Sequence, residues 1–528
     1  MVEPQDSERR LPAWVPSAGV AIALAGFVAW SFAQRWAVLS ASPFPLGVDG
    51  YFYPIQLRSL LETGGLQYPA SPLAFWLLAP FAAATDPIIG TKLGAACFGA
   101  LIALPAYGVG VHLGKSRGAG LVTASLATFS AGSAYLSIEF VKNGIGITVA
   151  LTALWLVLRA LETPSRARIL GALVAIAAAI LTHKMAAAIV IGIAIPAALA
   201  EAGGRGALRG RRMLYAIGAL VLGVTSLVVL GIAAPQRFLS LGDASLLGEL
   251  FSSEAEWSLP VLHAARGTLR LGYEPLIALA LGVLAAGAHV VERVRRTPDR
   301  LRPGAHVVSW LVVALALVIG VPWLAVDDAQ GLGMRIRIVA FVPLALCAAI
   351  VLRVALRLVV PRLVTRHERL VAGGICAVLA IGFALRVPGS RTEGRVVMEP
   401  ALIASAQGLT GRIPATDTVV IPERHIAFMV AWYTRVRISI RPEPVPIEQR
   451  WRFITLAFIG KGIPLDGIGS PLDEALLAVR ARSELPPILG LHPRYHNGLV
   501  LIPEPTWQYV LLLLPPSERS YFAAWPTI

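Results

Sequence analysis

Arg335 and Arg337 stand two residues apart at the opening of an apolar run. Guanidinium groups are planar forks of N–H donors, a shape that fits phosphate oxygens. The alternative is plain anchoring of a helix end. Asp327-Asp328, just upstream, could pair with those arginines or hold a divalent metal together with Glu139. Glu139 and Lys142 are three apart, so in a helix an acid and an amine share one face. His183-Lys184 lies in a short turn between two very apolar runs. Ionisable groups at such a depth are costly and tend to be functional, unless they snorkel to the interface. Lysine is scarce against arginine in this chain, and Lys142 and Lys184 both fall in short turns where a compact ammonium could meet a phosphate.

These residues must be positioned by helices in a membrane. Of 528 residues, 56% are hydrophobic and 15% charged. A soluble domain carries about 25% charged residues. That excludes a soluble enzyme, a disordered chain and a fibrous protein. The formal charge of +15 reflects cationic loops that hold a membrane protein's orientation, and no nucleic-acid motif accompanies it. Cys97, Cys347 and Cys376 lie in apolar stretches and offer neither a disulfide framework nor metal-ligand spacing.

A span needs about 20 apolar residues. Runs of that kind fall near 14–34, 88–113, 118–136, 143–160, 168–183, 185–201, 213–234, 273–291, 305–326, 337–357 and 369–387, predicting about eleven transmembrane helices. The first run follows Arg9 and Arg10 without a clean cleavage site, so it reads as a retained span. Pro72–Ala84 is too short and reads as an interfacial or re-entrant helix. Basic residues concentrate in alternate loops, such as Arg205, Arg209, Arg211 and Arg212, or Arg293, Arg295, Arg296, Arg300 and Arg302. That places the N-terminus in the cytoplasm. Arg35, Asp49, Arg58, Glu139, Lys142, His183, Lys184, Asp243, Asp327, Asp328, Arg335 and Arg337 then fall on the outer side.

From about Pro388 the composition turns mixed and proline-rich. Residues 1–387 read as the transmembrane domain, and 388–528 as a small α/β extracytoplasmic domain. Within it, Val419–Pro422 and Val436–Ile440 predict strands, Asp473–Arg482 a helix, and Tyr509–Leu514 a buried strand. Trp432-Tyr433 could stack on a sugar, though a core tryptophan is the commoner case.

The first outer loop runs Gly47-Val48-Asp49-Gly50-Tyr51-Phe52-Tyr53-Pro54-Ile55-Gln56-Leu57-Arg58 and ends at Gly64-Gly65. An acid beyond the first span, a tyrosine-rich start to an amphipathic helix (Tyr51, Tyr53), an arginine (Arg58) and a glycine break resemble the GT-C superfamily of integral-membrane glycosyltransferases. That group includes protein mannosyltransferases, aminoarabinose transferases and oligosaccharyltransferases. The motif covers only about residues 47–66, while the likeness in layout extends over the chain. The resemblance implies that Asp49 is the catalytic or metal-binding carboxylate. Asp49 lacks a paired acid, which disfavours metal and favours a single general base; a divalent metal stays open. The resemblance also implies that Arg335 and Arg337 hold the donor phosphate and that Glu139 contacts substrate or metal; on their own chemistry Lys184 and His183 join the phosphate set, and Lys142, Asp327 and Asp328 the substrate or metal contacts. Tyr51, Tyr53 and Arg58 would lie on a helix at the membrane surface.

The implied reaction moves a sugar from a polyprenyl-phosphate donor to a lipid, glycan or protein acceptor outside the bacterial inner membrane, with inversion. Membrane lipids are the surrounding partner and nucleic acid is not one. A transporter or flippase of a lipid-linked or anionic solute is the competing reading, and a scaffold subunit a third. Transporters place ionisable sites near the midplane, whereas the candidates here cluster at outer helix ends.

Overall fold

The structure, a computed structural model, describes the chain apart from residues 1–17, 48, 205–210, 241, 244–261, 264–269, 273, 296–300, 321–331, 360–373, 375–376, 382–399, 422–423, 440–445, 456–470, 483, 486–488, 491–498 and 524–528. It forms two compact units. One comprises Met1–Pro43 and Gly64–Gly394, the other Phe44–Thr63 and Arg395–Ile528. The loop that carries Asp49 thus belongs to the second unit, a pairing that a cut at 387/388 does not contain.

The first unit is helical: α1 (Ala18–Ser40), α3 (Leu73–Ala84), α4 (Pro87–Leu101), α5 (Ala103–Gly114), α6 (Arg117–Phe129), α7 (Ala131–Ile138), α8 (Val141–Glu162), α9 (Arg166–Thr182), α10 (Lys184–Gly204), α11 (Arg211–Ala233), α12 (Glu274–Val294), α13 (Pro303–Gly320), α14 (Leu332–Ile338) and α15 (Phe341–Val359). A two-stranded ribbon, β1 (Leu262–His263) and β2 (Arg270–Gly272), precedes α12. Among the described residues six helices are long and apolar enough to cross a membrane, or seven with the bent pair α6–α7. The chain is a polytopic membrane protein. Each apolar run from 14–34 to 337–357 coincides with a helix or a helix pair, and 369–387 lies mostly outside the described residues. The 72–84 run is helix α3, which packs so closely on α4 that a Cβ on Gly90 would strike the Ala82 backbone.

Helix starts follow side-chain chemistry. Asp86 caps α4 by accepting from the Ile88 and Ile89 amides at 2.8 and 3.0 Å, with Pro87 at the first helical position. Ser116 and Ser165 cap α6 and α9 the same way. The core is built of Ala106, Val109, Leu113, Leu151, Leu154, Phe341 and Cys347, with small residues letting backbones approach.

Arg35 corrects the sequence reading: it lies in α1 and its side chain is buried, outside any loop. At the helix ends opposite the starts of α8, α10 and α15, charges are paired. Arg353 donates to both Glu292 oxygens at 3.1 and 2.8 Å, and to the Leu113 carbonyl at 3.0 Å. Glu162 meets His112 at 3.0 Å and Lys115 at 2.6 Å. Glu201 accepts from the Gly304 amide at 3.1 Å and pairs with Arg302 at 3.5 Å. His289 Nε2 bonds Ser309 Oγ at 2.8 Å.

The second unit begins with α2 (Phe52–Thr63) and continues through α16 (Pro400–Gln407), β3 (Thr418–Val420), α17 (Arg424–Thr434), β4 (Arg437–Ser439), β5 (Arg450–Thr455), α18 (Pro471–Arg480), β6 (Leu489–Gly490), β7 (Leu499–Pro503), α19 (Glu504–Leu513) and α20 (Pro516–Ala523). The sheet order is β4-β3-β5-β7-β6, with β4, β3 and β5 parallel and β7 antiparallel to β5 and β6. Residues 509–513 are helix, correcting the strand reading. Their burial has helical period: Trp507, Val510, Leu511 and Leu514 face the core, while Leu512 and Leu513 are 63% and 44% exposed. Glu504 and Pro505 in the first turn favour that start.

Candidate functional site

In the first unit, four of the singled-out residues come together where α9–α10, the start of α8 and α14 meet. His183 terminates α9 in an extended conformation, and its Nδ1 accepts from the Met185 amide at 3.1 Å. A neutral ring therefore carries its proton on Nε2. Burial holds the imidazole well below its ordinary pKa, and the charges of Lys142, Arg335 and Lys184 depress it further. His183 thus stands uncharged amid three cations. Gly146 on α8 leaves the room: a Cβ there would sit 3.0 Å from His183 Cβ.

Arg335 lies 5.4 Å over the Phe140 ring, and its Nε is buried with no hydrogen-bond partner among the described residues. Arg337 behaves differently. Two residues along a helix, it points to another side, and it is 2% exposed within the bundle. Lys184 binds Asp243 through both carboxylate oxygens at 2.9 and 2.8 Å. Burial alone would raise the Asp243 pKa, but hydrogen bonds from Lys184 and Ser240 outweigh it and hold the group below the usual carboxylate range. Asp243 is a partner the sequence reading did not assign to Lys184.

Glu139 and Lys142 do not share one helix face. Glu139 ends α7, Phe140 breaks the helix, and Lys142 opens α8. Glu139 is buried. Asp327 and Asp328 lie outside the described residues. Among the described residues no group of three or more His, Cys, Asp or Glu side chains could hold a metal ion.

A small apolar crevice of about 10 Å³ lies among the same helices. It is lined from α8 by Ile147, Leu151 and Leu154, from α10 by Ile189 and Ile193, and from α15 by Val342 and Leu346, with α13 closing it. Ile147 follows Lys142 by five residues and Ile189 follows Lys184 by five. At 1.5 Å rise per residue the lining starts roughly 7 Å along each helix from the cation.

Asp49 belongs to the second unit. It sits in a tight turn in which the Gly50 amide donates to the Gly47 carbonyl at 3.1 Å and the Phe52 amide to the Asp49 carbonyl at 3.0 Å. Gly47 has φ of +81°, which glycine adopts freely. A Cβ at position 50 would lie 2.8 Å from the Leu46 carbonyl oxygen. The half-buried Asp49 carboxylate has no partner among the described residues. The turn is tied down by α2 on α17. Tyr51 and Tyr433 share a hydroxyl hydrogen bond at 3.1 Å, and burial together with that bond raises the Tyr51 pKa. Phe52 packs on Phe428 at 5.1 Å. Arg58 donates to the Trp432 carbonyl at 2.8 Å and lies 4.5 Å over its ring, satisfying the free carbonyl end of α17. Tyr53 is buried. Tyr51, Arg58, Trp432 and Tyr433 therefore act as the clamp that holds the Asp49 turn. The same contacts occupy Trp432 and Tyr433, the two rings considered for sugar stacking.

No protein-family model and no curated protein matches the sequence. Among solved structures, the chain is similar to an Archaeoglobus fulgidus oligosaccharyltransferase in complex with zinc and sulfate. That match has a TM-score of 0.47 and 12% identity, over 81% of this chain and 63% of that one. The chain thus spans less than two thirds of the oligosaccharyltransferase. It is also similar to ArnT from Cupriavidus metallidurans in the apo state, with a TM-score of 0.47 and 14% identity over 95% of this chain and all of that one. ArnT bound to undecaprenyl phosphate gives a TM-score of 0.46 and 15% identity over 95% of this chain.

Proposed function

We propose that the chain is a membrane glycosyltransferase of the GT-C type that takes its sugar from a polyprenyl-phosphate carrier. The observation that carries this reading is the crowding of Lys142, Lys184 and Arg335 around a neutral His183, with an apolar crevice beginning about one and a half turns along the same helices. Like charges crowded at helix ends favour an anion, and the apolar side chains that follow along the same helices favour one that is also a lipid.

In the proposed reaction the anomeric carbon leaves the carrier phosphate and bonds to an acceptor oxygen. The acceptor proton passes to a base. A phosphodiester-linked sugar carries one negative charge and the departing monoester carries two. Arg335, Lys142 and the His183 Nε2–H answer that added charge, which is worth most where water is excluded. Arg337 and Lys184 contribute less, because one is buried away and the other is paired. The base is assigned to Asp49 on its chemistry: an uncommitted carboxylate held in a rigid turn. A single displacement inverts the sugar. Glu139 is an acceptor contact, with Asp327, Asp328 and a divalent metal left to the same role.

The proposed arrangement has about eleven spans, a cytoplasmic N-terminus and an extracytoplasmic domain from about residue 388, in a bacterial inner membrane. Nucleotide sugars are absent on that outer face, so a lipid donor follows. The test is native mass spectrometry of the detergent-purified protein with Asp49→Asn and Arg335→Ala variants. A polyprenyl-phosphate sugar that co-purifies, accumulates in Asp49→Asn and is lost in Arg335→Ala is the expected result. Its absence where ordinary phospholipids are retained overturns the reading and returns weight to a transporter.

A further inference from the structure

The α6–α7 span is broken at Ser130, whose ψ of 149° is extended, and the two helices bend by 47°. A break inside a membrane frees backbone groups that lipid cannot satisfy. Here each side of the break is met by a charge of the matching sign. The Ala131 and Gly132 amides, at the positive end of α7, donate to the two Glu274 oxygens at 2.6 and 3.1 Å. Ser130 Oγ takes the third, from Ser133, at 3.2 Å. On the other side, the Thr128 carbonyl, at the negative end of α6, accepts from Arg35 Nη2 at 2.9 Å. The same guanidinium reaches Ser133 Oγ at 2.9 Å, Ser137 Oγ at 3.0 Å and the Ser31 hydroxyl. Arg35 has no carboxylate partner among the described residues.

The helix held this way touches the anion site at both ends. At its start, Gly132 lies so near the Ile338 carbonyl that a Cβ would collide with it, and Ile338 closes α14, which carries Arg335. At its end come Glu139 and then Phe140, whose ring lies under Arg335 and against Tyr135 at 5.7 Å. Lys142 follows two residues on.

We propose that Arg35 and Glu274 are positioning residues for the anion site: by taking up the backbone groups freed at the α6–α7 break they fix α7, and through α7 they fix the placing of Lys142 and Arg335. The functional consequence rests on the cluster being a lipid-phosphate site, whereas the mechanical part does not. Neither residue touches the anion.

The experiment separates the two. Full-length protein in nanodiscs, carrying ¹³Cε1-histidine, is titrated by NMR, with His183 assigned from a His183→Asn variant. Binding of undecaprenyl phosphate is measured on the same samples, and thermal melting confirms folding. In wild type, His183 titrates well below 6.5. In Glu274→Gln and Arg35→Met the two cations recede, and the His183 midpoint rises toward 6.5 by about 0.5 unit or more. Glu274→Asp, which keeps the charge, shifts it less. Undecaprenyl phosphate binds at least fivefold more weakly to Glu274→Gln than to wild type. Should that variant fail to fold, Ser133→Ala/Ser137→Ala removes two Arg35 acceptors and is expected to shift the midpoint in the same direction. An unchanged His183 midpoint in the folded variants overturns the proposal, even if wild type binds the lipid. A shifted midpoint with no lipid binding by wild type supports the joint and removes the transferase reading.

Discussion

The two ends of the helical bundle handle charge in opposite ways. At one end Arg353, Lys115 and Arg302 each meet a glutamate. At the other, Arg335 has no carboxylate among the described residues, and burial, reinforced by three nearby cations, keeps His183 neutral. These pairs link α5, α8, α10, α12, α13 and α15, and in the buried pair Arg353–Glu292 removing one partner strands the other where water cannot solvate it. Like charges brought together repel, and at this end Asp243 answers Lys184. In the proposed reading a lipid phosphate completes them, and on that reading the contrast separates scaffold from site.

The strongest way to break the comparison is Glu292→Ala. It strands Arg353, 2% exposed, and is expected to cost about 3–5 kcal/mol of stability, read as a fall in melting temperature in detergent. Arg335→Ala is expected to leave melting within about 1 kcal/mol of wild type. If both variants melt alike, the two ends are not different in kind. The second effect is on binding. Arg335→Ala should weaken polyprenyl-phosphate affinity about 10- to 100-fold, the loss of a charge-assisted contact worth about 1.5–3 kcal/mol, measured by titration calorimetry.

The third is a pH dependence. The folded His183 pKa lies below its unfolded value near 6.5, so as pH falls through 6.5 the unfolded chain takes up the proton first. Stability contributed by neutral His183 is present above 6.5 and is lost as pH drops from there toward the folded value. The slope is at most about 1.4 kcal/mol per pH unit. His183→Asn should flatten that limb in a series of melts. The smallest effect is Asp243→Asn, which frees Lys184 and makes the cationic end more cationic. Polyprenyl-phosphate binding is expected to tighten a few-fold, and weaker binding would mean that Asp243 organises the site.

What was legible in the chain follows from range. Apolar runs and the turns between them are local, so the helices and the positions of Lys142, His183, Lys184 and Arg335 at their ends could be read directly. The 509–514 run was ambiguous because a short apolar stretch suits either element; the signal that decides it, Glu504-Pro505, lies just upstream. Arg35 was misplaced because a charge near the end of an apolar run looks like a loop residue until its partners, about a hundred positions away, are known. Glu274 and Asp243 were missed for the same reason. A carboxylate that satisfies a distant helix end leaves no pattern of its own. That Arg335 and Arg337 diverge was foreseeable from helical geometry alone.

The clamp on the Asp49 turn has a consequence for biosynthesis. Tyr51 and Tyr433 are 382 residues apart, and Arg58 and Trp432 are 374 apart. At roughly 5–20 residues per second, the turn emerges on the order of 20–75 s before the helix that holds it exists. Until then the first loop has no α17 to pack on. A truncated or stalled chain would insert its spans yet leave the proposed base unanchored, so the protein acquires its chemistry only when its last quarter has been made.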